Sequence, residues 1–360
     1  MKLKPRICTC LAIAGSLLYS DLALAQSGIR AGGRDVNFSD RIKNGKVKRP
    51  GAGTIDHREQ MRRLVIKVSK FTRKVNKKFI VLTWGGLDLI EKVSGGEDTI
   101  GSVATTYMRA IDGVILRNVF FSPAKEGFAT DKLERAKILR LAKFAQKRGL
   151  QIWVSDYAPT REIAQESHRL NKANGFIPFT VENKNDLFNS VPKYPIRPIF
   201  ENAKNIMDLK SAQNFLYMTD SSRFASQEEM VERLSETNFD AVVVDVFHRG
   251  RNALTKKNVR KLQLKKIGSR RLVLTYMNIG FADTSRFYWK SGWGTGNPMF
   301  IGDPTPEDAD RYFVQFWDPA WHEVITSTPN SYDYGITQQG FDGVILDGLE
   351  NYKFFENREN

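Results

Sequence analysis

From residue 79 onward, short apolar runs alternate with stretches of helical periodicity. Eight runs read as buried strands: 79–83, 113–117, 150–156, 176–181, 215–219, 241–245, 272–277 and 343–347. They are too short for core helices and are rich in Val, Ile, Leu and Phe. Amphipathic segments with readable ends lie between them. The stretch 131–148 opens on Asp131 with Glu134 three residues on, sets Leu133, Ala136, Leu141 and Phe144 on one face, and stops at Gly149. Ser226 followed by Glu229 opens the helix before the sixth run, and Asp318 with Pro319 opens the one before the eighth. Eight strands alternating with helices predict an α/β fold, a (β/α)8 TIM barrel formed as a single domain over 79–360. An open doubly wound sheet is the competitor, but no Gly-rich phosphate turn follows any run.

The pattern changes before residue 79. Lys2, Lys4 and Arg6 precede the apolar run ICTCLAIAGSLLYS and then ALAQ. This predicts a signal peptide over 1–25, with cleavage after Ala25 and a secreted or periplasmic location. The apolar run is too short to span a bilayer, so no transmembrane segment is expected in the mature chain. Both cysteines, Cys8 and Cys10, fall inside this leader, leaving no thiol for a disulfide, a nucleophile or a thiolate metal site.

Residues 26–78 read as a basic linker or arm. The part up to 55 is Gly-rich, charged and poor in apolar residues, hence a disordered tether. Within 56–78 a short basic helix is predicted, with Met61, Leu64, Val65 and Val68 on one stripe. Net charge is +15, but residues 26–80 hold 16 Lys and Arg against four acids, so the body beyond is nearly neutral. The arm therefore suits an anionic envelope polymer or simple solvation. The near-neutral body argues against a nucleic-acid partner.

In a barrel the C-terminal strand ends share one mouth. Asp156, Asp245 and Asp347 close the third, sixth and eighth runs, and Asp283 follows the seventh. Asp112, Asp240 and Asp342 fall at the opposite ends, where turn and cap chemistry is expected. Four histidines (His57, His168, His248, His322) show no ligand spacing, so neither a metal nor a cofactor is expected. No Gly-x-Ser-x-Gly elbow signals a serine triad. Several carboxylates remain, with Trp84, Trp153, Tyr157, Tyr217, Tyr276, Trp289, Trp293 and Trp317 on or near the same rim. Paired acids with aromatic platforms suit glycosidic bond cleavage: one acid protonates the leaving oxygen, another handles water or the anomeric carbon, and rings stack on sugars.

The blocks LSETNFDAVVVDVFHRGRNALTKKNVRKLQ, RRLVLTYMNIGFADTSRFYW, GNPMFIGDP, FVQFWDPAWHEVI and QGFDGVILDGLENYKFFE, in this order, resemble the glycoside hydrolase family 114 barrels, endo-α-1,4-polygalactosaminidase-like extracellular proteins. The likeness is close over the C-terminal half; NFLYMTDSSRF extends it upstream, and the first four strands share only the rhythm. The resemblance implies a secreted hydrolase of an amino-sugar polysaccharide, with acids at the positions of Asp245 and Asp347. It also implies a glutamate after the seventh strand, in the pattern S-I-G-E-A-E. Here the text is NIGFAD, so Phe281 stands in the glutamate's place and Asp283 aligns with the second acid. The expected site is thus Asp245, Asp347 and Asp283 as catalytic acids. Trp84, Asp156, Tyr217, Tyr276, Phe281, Arg286, Trp317 and Glu350 are expected to contact substrate. Asp347 with Glu350 is an alternative working pair. The competing expectation, carried by Phe281, is a catalytically silent polysaccharide-binding barrel.

Overall fold

The computed structural model describes residues 55–93, 100–124, 128–182, 188–195 and 197–358. The leader 1–25, its cleavage site and arm residues 26–54 lie outside the described residues. Eight parallel strands form one sheet: β1 (Ile80–Trp84), β2 (Gly113–Arg117), β3 (Gln151–Tyr157), β4 (Ile177–Val181), β5 (Phe215–Met218), β6 (Ala241–Asp245), β7 (Leu272–Asn278) and β8 (Gly343–Asp347). All eight fall where the apolar runs place them. Their order is β4-β3-β2-β1-β8-β7-β6-β5, so β1 and β8 pair and the sheet curls into a nearly closed (β/α)8 barrel. The seam falls between β4 and β5, where Pro178 in β4 lacks an N–H to donate and suits an end strand. The strands are buried along nearly their whole length, as expected when helices cover one face and the barrel interior the other.

Among the described residues nine helices accompany the strands: α1 (His57–Val75), α2 (Thr105–Ala110), α3 (Lys132–Lys147), α4 (Arg161–Ala173), α5 (Gln227–Ser235), α6 (Lys256–Leu262), α7 (Pro319–Ile325), α8 (Tyr332–Gln339) and α9 (Asn351–Arg358). The expected caps form. Asp131 accepts from the Leu133 and Glu134 N–H groups, Ser226 from Glu229, and Asp318 from Ala320 with Pro319 in the first turn. None of the described helices is long and apolar enough to cross a membrane.

The segment 56–78 requires a correction. It is not a linker: α1 packs against α2, α8 and α9, and Met61, Leu64, Val65 and Val68 are fully buried. Arg62 is buried too, donating to the Leu89 and Glu91 carbonyls. The apolar stripe was legible, but a basic helix becomes a core helix only when its stripe has a partner surface, which distant elements supply. The barrel domain therefore includes α1, which Asp56 caps by accepting from the Glu59 N–H at 2.8 Å.

Asp112, Asp240 and Asp342 share one structural device, more specific than turn chemistry. Each sits just before a strand and accepts a backbone N–H from the neighbouring chain in the barrel: Val81 for Asp112, Gln213 for Asp240 and Val273 for Asp342. Each is also paired with a cation, Arg73 at 2.8 Å, Lys265 at 2.7 Å and Arg270 at 2.6 Å respectively. The repeated aspartates thus latch adjacent strands at the N-terminal end of the barrel, away from the mouth.

Candidate active site at the barrel mouth

The mouth is built by the last residues of β1, β2, β5, β7 and β8 and the turns that follow. Trp84 ends β1 and Arg117 ends β2; Tyr217 and Tyr276 rise from β5 and β7; Asp347 ends β8, with Glu350 three residues on. Parallel pairing sets Tyr276 beside Ile345 and Asn278 beside Asp347, which brings the Tyr276 hydroxyl within 2.8 Å of Asp347 Oδ2 as its donor. The turn after β8 returns over the turn after β1, and Glu350 Oε1 accepts the Gly86 N–H at 3.3 Å. Gly85, at φ +71°, lies so close beneath Glu350 that any side chain there would collide with its carboxylate. Trp84 and Tyr217 pack at 4.5 Å between ring centroids, and the Arg117 guanidinium carbon sits 5.8 Å from the Trp84 ring.

The two acids differ from ordinary surface carboxylates. Asp347 is only 6% exposed. Asp347 Oδ1 and Glu350 Oε2 make no hydrogen bond to a described residue. Burial raises the Asp347 pKa; the Gly348 N–H, the Tyr276 hydroxyl, Arg311 and Arg117 oppose the rise. Burial also pushes Glu350 up to about 7, with Lys353 pulling it down and the Asp347 charge adding to the rise. Burial lowers the Arg117 pKa, against the charges of Asp347 and Glu350. The result is two neighbouring carboxyls whose pKa values are both raised, chiefly by burial.

Asp245 and Asp283 are arranged otherwise. Arg286 grips Asp245 through both terminal nitrogens, at 2.8 and 2.7 Å. Arg311 donates to Asp283 at 2.8 Å, and Arg286 lies 4.0 Å from the other Asp283 oxygen. These four groups form a ladder of alternating charge beside the Asp347–Glu350 pair. A carboxylate held in a two-pronged guanidinium clamp is a poor proton donor and a poor nucleophile. The expected role of Arg286 shifts accordingly, from substrate contact to clamp.

Three expected substrate contacts belong elsewhere. Asp156 is fully buried and accepts from the Phe120 N–H, the Ser167 hydroxyl and the Asn171 amide, so it ties β3 to α4. Trp317 packs on His57, Phe316 and Phe355, between the start of α1 and α9 on the flank of the barrel. Phe281 begins the first strand of a small antiparallel sheet (Phe281–Asp283, Ile301–Thr305, Asp308–Val314) inserted after β7. It is 3% exposed and packs on Phe313, so it offers no open stacking face. An added Cβ at Gly348 would meet the Phe281 ring at 3.0 Å, which places that ring beside the turn carrying Asp347. Phe281→Glu is therefore expected to destabilise the fold by about 3 kcal/mol or more, since it trades a buried ring for a buried charge. A fall in the denaturant midpoint at unchanged slope is the expected readout.

Arg117 and Arg311 were not among the expected site residues. The only signal for Arg117 was its place: the second strand ends on arginine where the sixth and eighth end on aspartate. Among the described residues no group of three or more His, Cys, Asp and Glu side chains could hold a metal ion.

No family model matches the chain. It is similar to uncharacterised proteins of Methanocaldococcus jannaschii (30% identical over 157 residues, 43% of this chain and 42% of that one) and Deinococcus radiodurans (30% over 120 residues, 33% and 36%). A shorter likeness joins it to an uncharacterised protein of Thermotoga maritima, 35% identical over 82 residues, 23% of this chain and 24% of that one. The chain thus spans less than half the length of these curated relatives. What fold and geometry define is a class: a (β/α)8 barrel with two neighbouring carboxyls, Asp347 and Glu350, at its mouth.

Proposed function

We propose that this barrel is a glycoside hydrolase acting on an amino-sugar polysaccharide, with Asp347 and Glu350 as its acid pair. One observation carries the reading. Two carboxyls from the same turn, buried Asp347 and half-buried Glu350, lie beside Trp84, Tyr217 and Tyr276, and burial pushes Glu350 up to about 7. A carboxyl that keeps its proton near neutrality, with a second carboxyl beside it, is what glycosidic cleavage calls for. Glu350 would protonate the leaving oxygen, while Asp347, steered by the Tyr276 hydroxyl, handles water or the anomeric carbon. The choice of an amino-sugar polymer follows from the likeness of the chain's C-terminal blocks to the polygalactosaminidase-like barrels.

The test is to incubate the protein with partly deacetylated galactosamine polymer and measure new reducing ends. Release is expected from the wild type and a loss of about a thousandfold from Asp347→Asn. Phe281 and the clamped Asp245 favour a second reading, a silent barrel that binds polysaccharide. Tight binding with no release, unchanged by Asp347→Asn, would establish that reading instead.

A further inference from the structure

The face opposite the carboxyl pair carries a second concavity. It lies where β1, β2 and β3 begin, against residues 207–210 in the segment before β5, and has a volume of about 740 Å³, within the range of small-ligand sites. Barrel enzymes place their chemistry at the other face, so nothing in the mouth accounts for it.

Four cations line this cavity: Lys78, Arg109, Arg148 and Lys210. All four are exposed, and none forms an ion pair with a described residue. Arg148 lies over the Phe144 ring, its guanidinium carbon 4.9 Å from the centroid. Two acids also line the cavity, but both are engaged. Asp112 holds Arg73 and the Val81 N–H, and Asp208 accepts from the Ser211 N–H and hydroxyl. Helix C-termini collect on this face and favour cations there, which accounts for Arg109 and Arg148 one at a time. It does not account for four unpaired cations around one hollow, nor for the hollow's floor. That floor is apolar, formed by Ile80, Met108 and Leu209, with Met207 59% exposed at its edge. An exposed methionine beside an apolar floor is adaptable hydrophobic surface.

We propose that this cavity is a second ligand site that takes an amphiphilic anion, an apolar body bearing one phosphate or carboxylate group. The cations would receive the anionic group through charge-assisted hydrogen bonds, and the apolar floor would receive the chain or ring behind it. The proposal does not depend on the reading of the mouth. An anionic lipid and a free metabolite present the same chemistry to this cavity.

Titration of the full chain with octyl phosphate, followed by calorimetry, tests it, with octyl glucoside and inorganic phosphate as controls. Octyl phosphate is expected to bind one to one, with both controls weaker by about tenfold or more. Arg109→Gln and Arg148→Gln are each expected to weaken binding by about tenfold, with unchanged thermal melts, because both side chains are exposed. Asp347→Asn should leave it unchanged. Co-sedimentation with vesicles of phosphatidylglycerol separates the sources. Vesicle binding lost in the arginine variants points to a lipid headgroup, and octyl phosphate binding without vesicle binding points to a soluble ligand. Binding of neither probe, binding undiminished in both arginine variants, or inorganic phosphate matching octyl phosphate would overturn the proposal.

Discussion

Glu350→Gln is expected to lower the rate of polymer cleavage by about a hundredfold to ten-thousandfold and to remove the alkaline limb of its pH profile. The reasoning starts from the carboxyl's surroundings. Burial and the neighbouring Asp347 charge hold the proton on Glu350 up to about pH 7, so the wild-type rate should fall as pH rises through that value. Glutamine keeps the shape and the contact to the Gly86 N–H but cannot release a proton. If Glu350→Gln retains wild-type rates and the same alkaline limb, Glu350 is not the acid. A second readout comes from stability. The folded state holds this proton more tightly than the unfolded chain, whose carboxyl titrates near 4.5. The stability tied to Glu350 is therefore complete below about pH 4.5 and lost as pH rises through about 7, an amount of about 3 kcal/mol. In Glu350→Gln that decline should vanish, so the variant gains on the wild type in chemical denaturation at pH 8.

Lys265→Met is expected to destabilise the barrel by about 3 to 5 kcal/mol, because it strands Asp240 as a buried charge. Both members of this pair are fully inaccessible, with the ammonium 2.7 Å from Asp240 Oδ1. Lys265 Nζ also donates to the carbonyls of Asn202 and Lys204, and Asp240 accepts the Gln213 N–H and the Asn202 amide. The pair therefore fastens the segment before β5 to the start of β6, next to the one seam of the barrel. A melting temperature lower by about 10 °C is the expected result for a domain of this size. The double variant Lys265→Met with Asp240→Asn should recover part of the loss, since no charge is then stranded. A single variant as stable as the wild type would show that the remaining donors satisfy Asp240 alone.

The electrostatic design of the mouth separates acids that look equivalent along the chain. Asp245 and Asp347 both end strands in nearly identical apolar runs, AVVVD and GVILD. One meets a bidentate arginine from the insertion after β7, the other a tyrosine hydroxyl from β7 itself. The first is neutralised by its partner; the second keeps an oxygen without a hydrogen-bond partner among the described residues. The same insertion brings Arg311 to Asp283 and lays Phe281 against Phe313, so the departure at position 281 sits inside a packed sheet. The proposed working pair is therefore Asp347 and Glu350, three residues apart, where the turns after β1 and β8 meet.

Strand positions were legible because a parallel strand buried on both faces must be apolar throughout, and such a run is visible without its neighbours. Helix starts at Asp131, Ser226 and Asp318 were legible because a cap is a local bond. From eight alternating units the barrel followed, and with it the shared mouth of Asp245, Asp347 and Tyr276. What the sequence could not decide is whatever depends on a partner far along the chain. The stripe on α1 became core because α2, α8 and α9 cover it. Asp156 became a strut because Ser167 and Asn171 turn toward it, and Asp245 was spent on Arg286, 41 residues away. Local pattern determines which residues are apolar and where a backbone turns; only the folded chain decides which charges meet, because opposite charges pair across space regardless of their order in sequence.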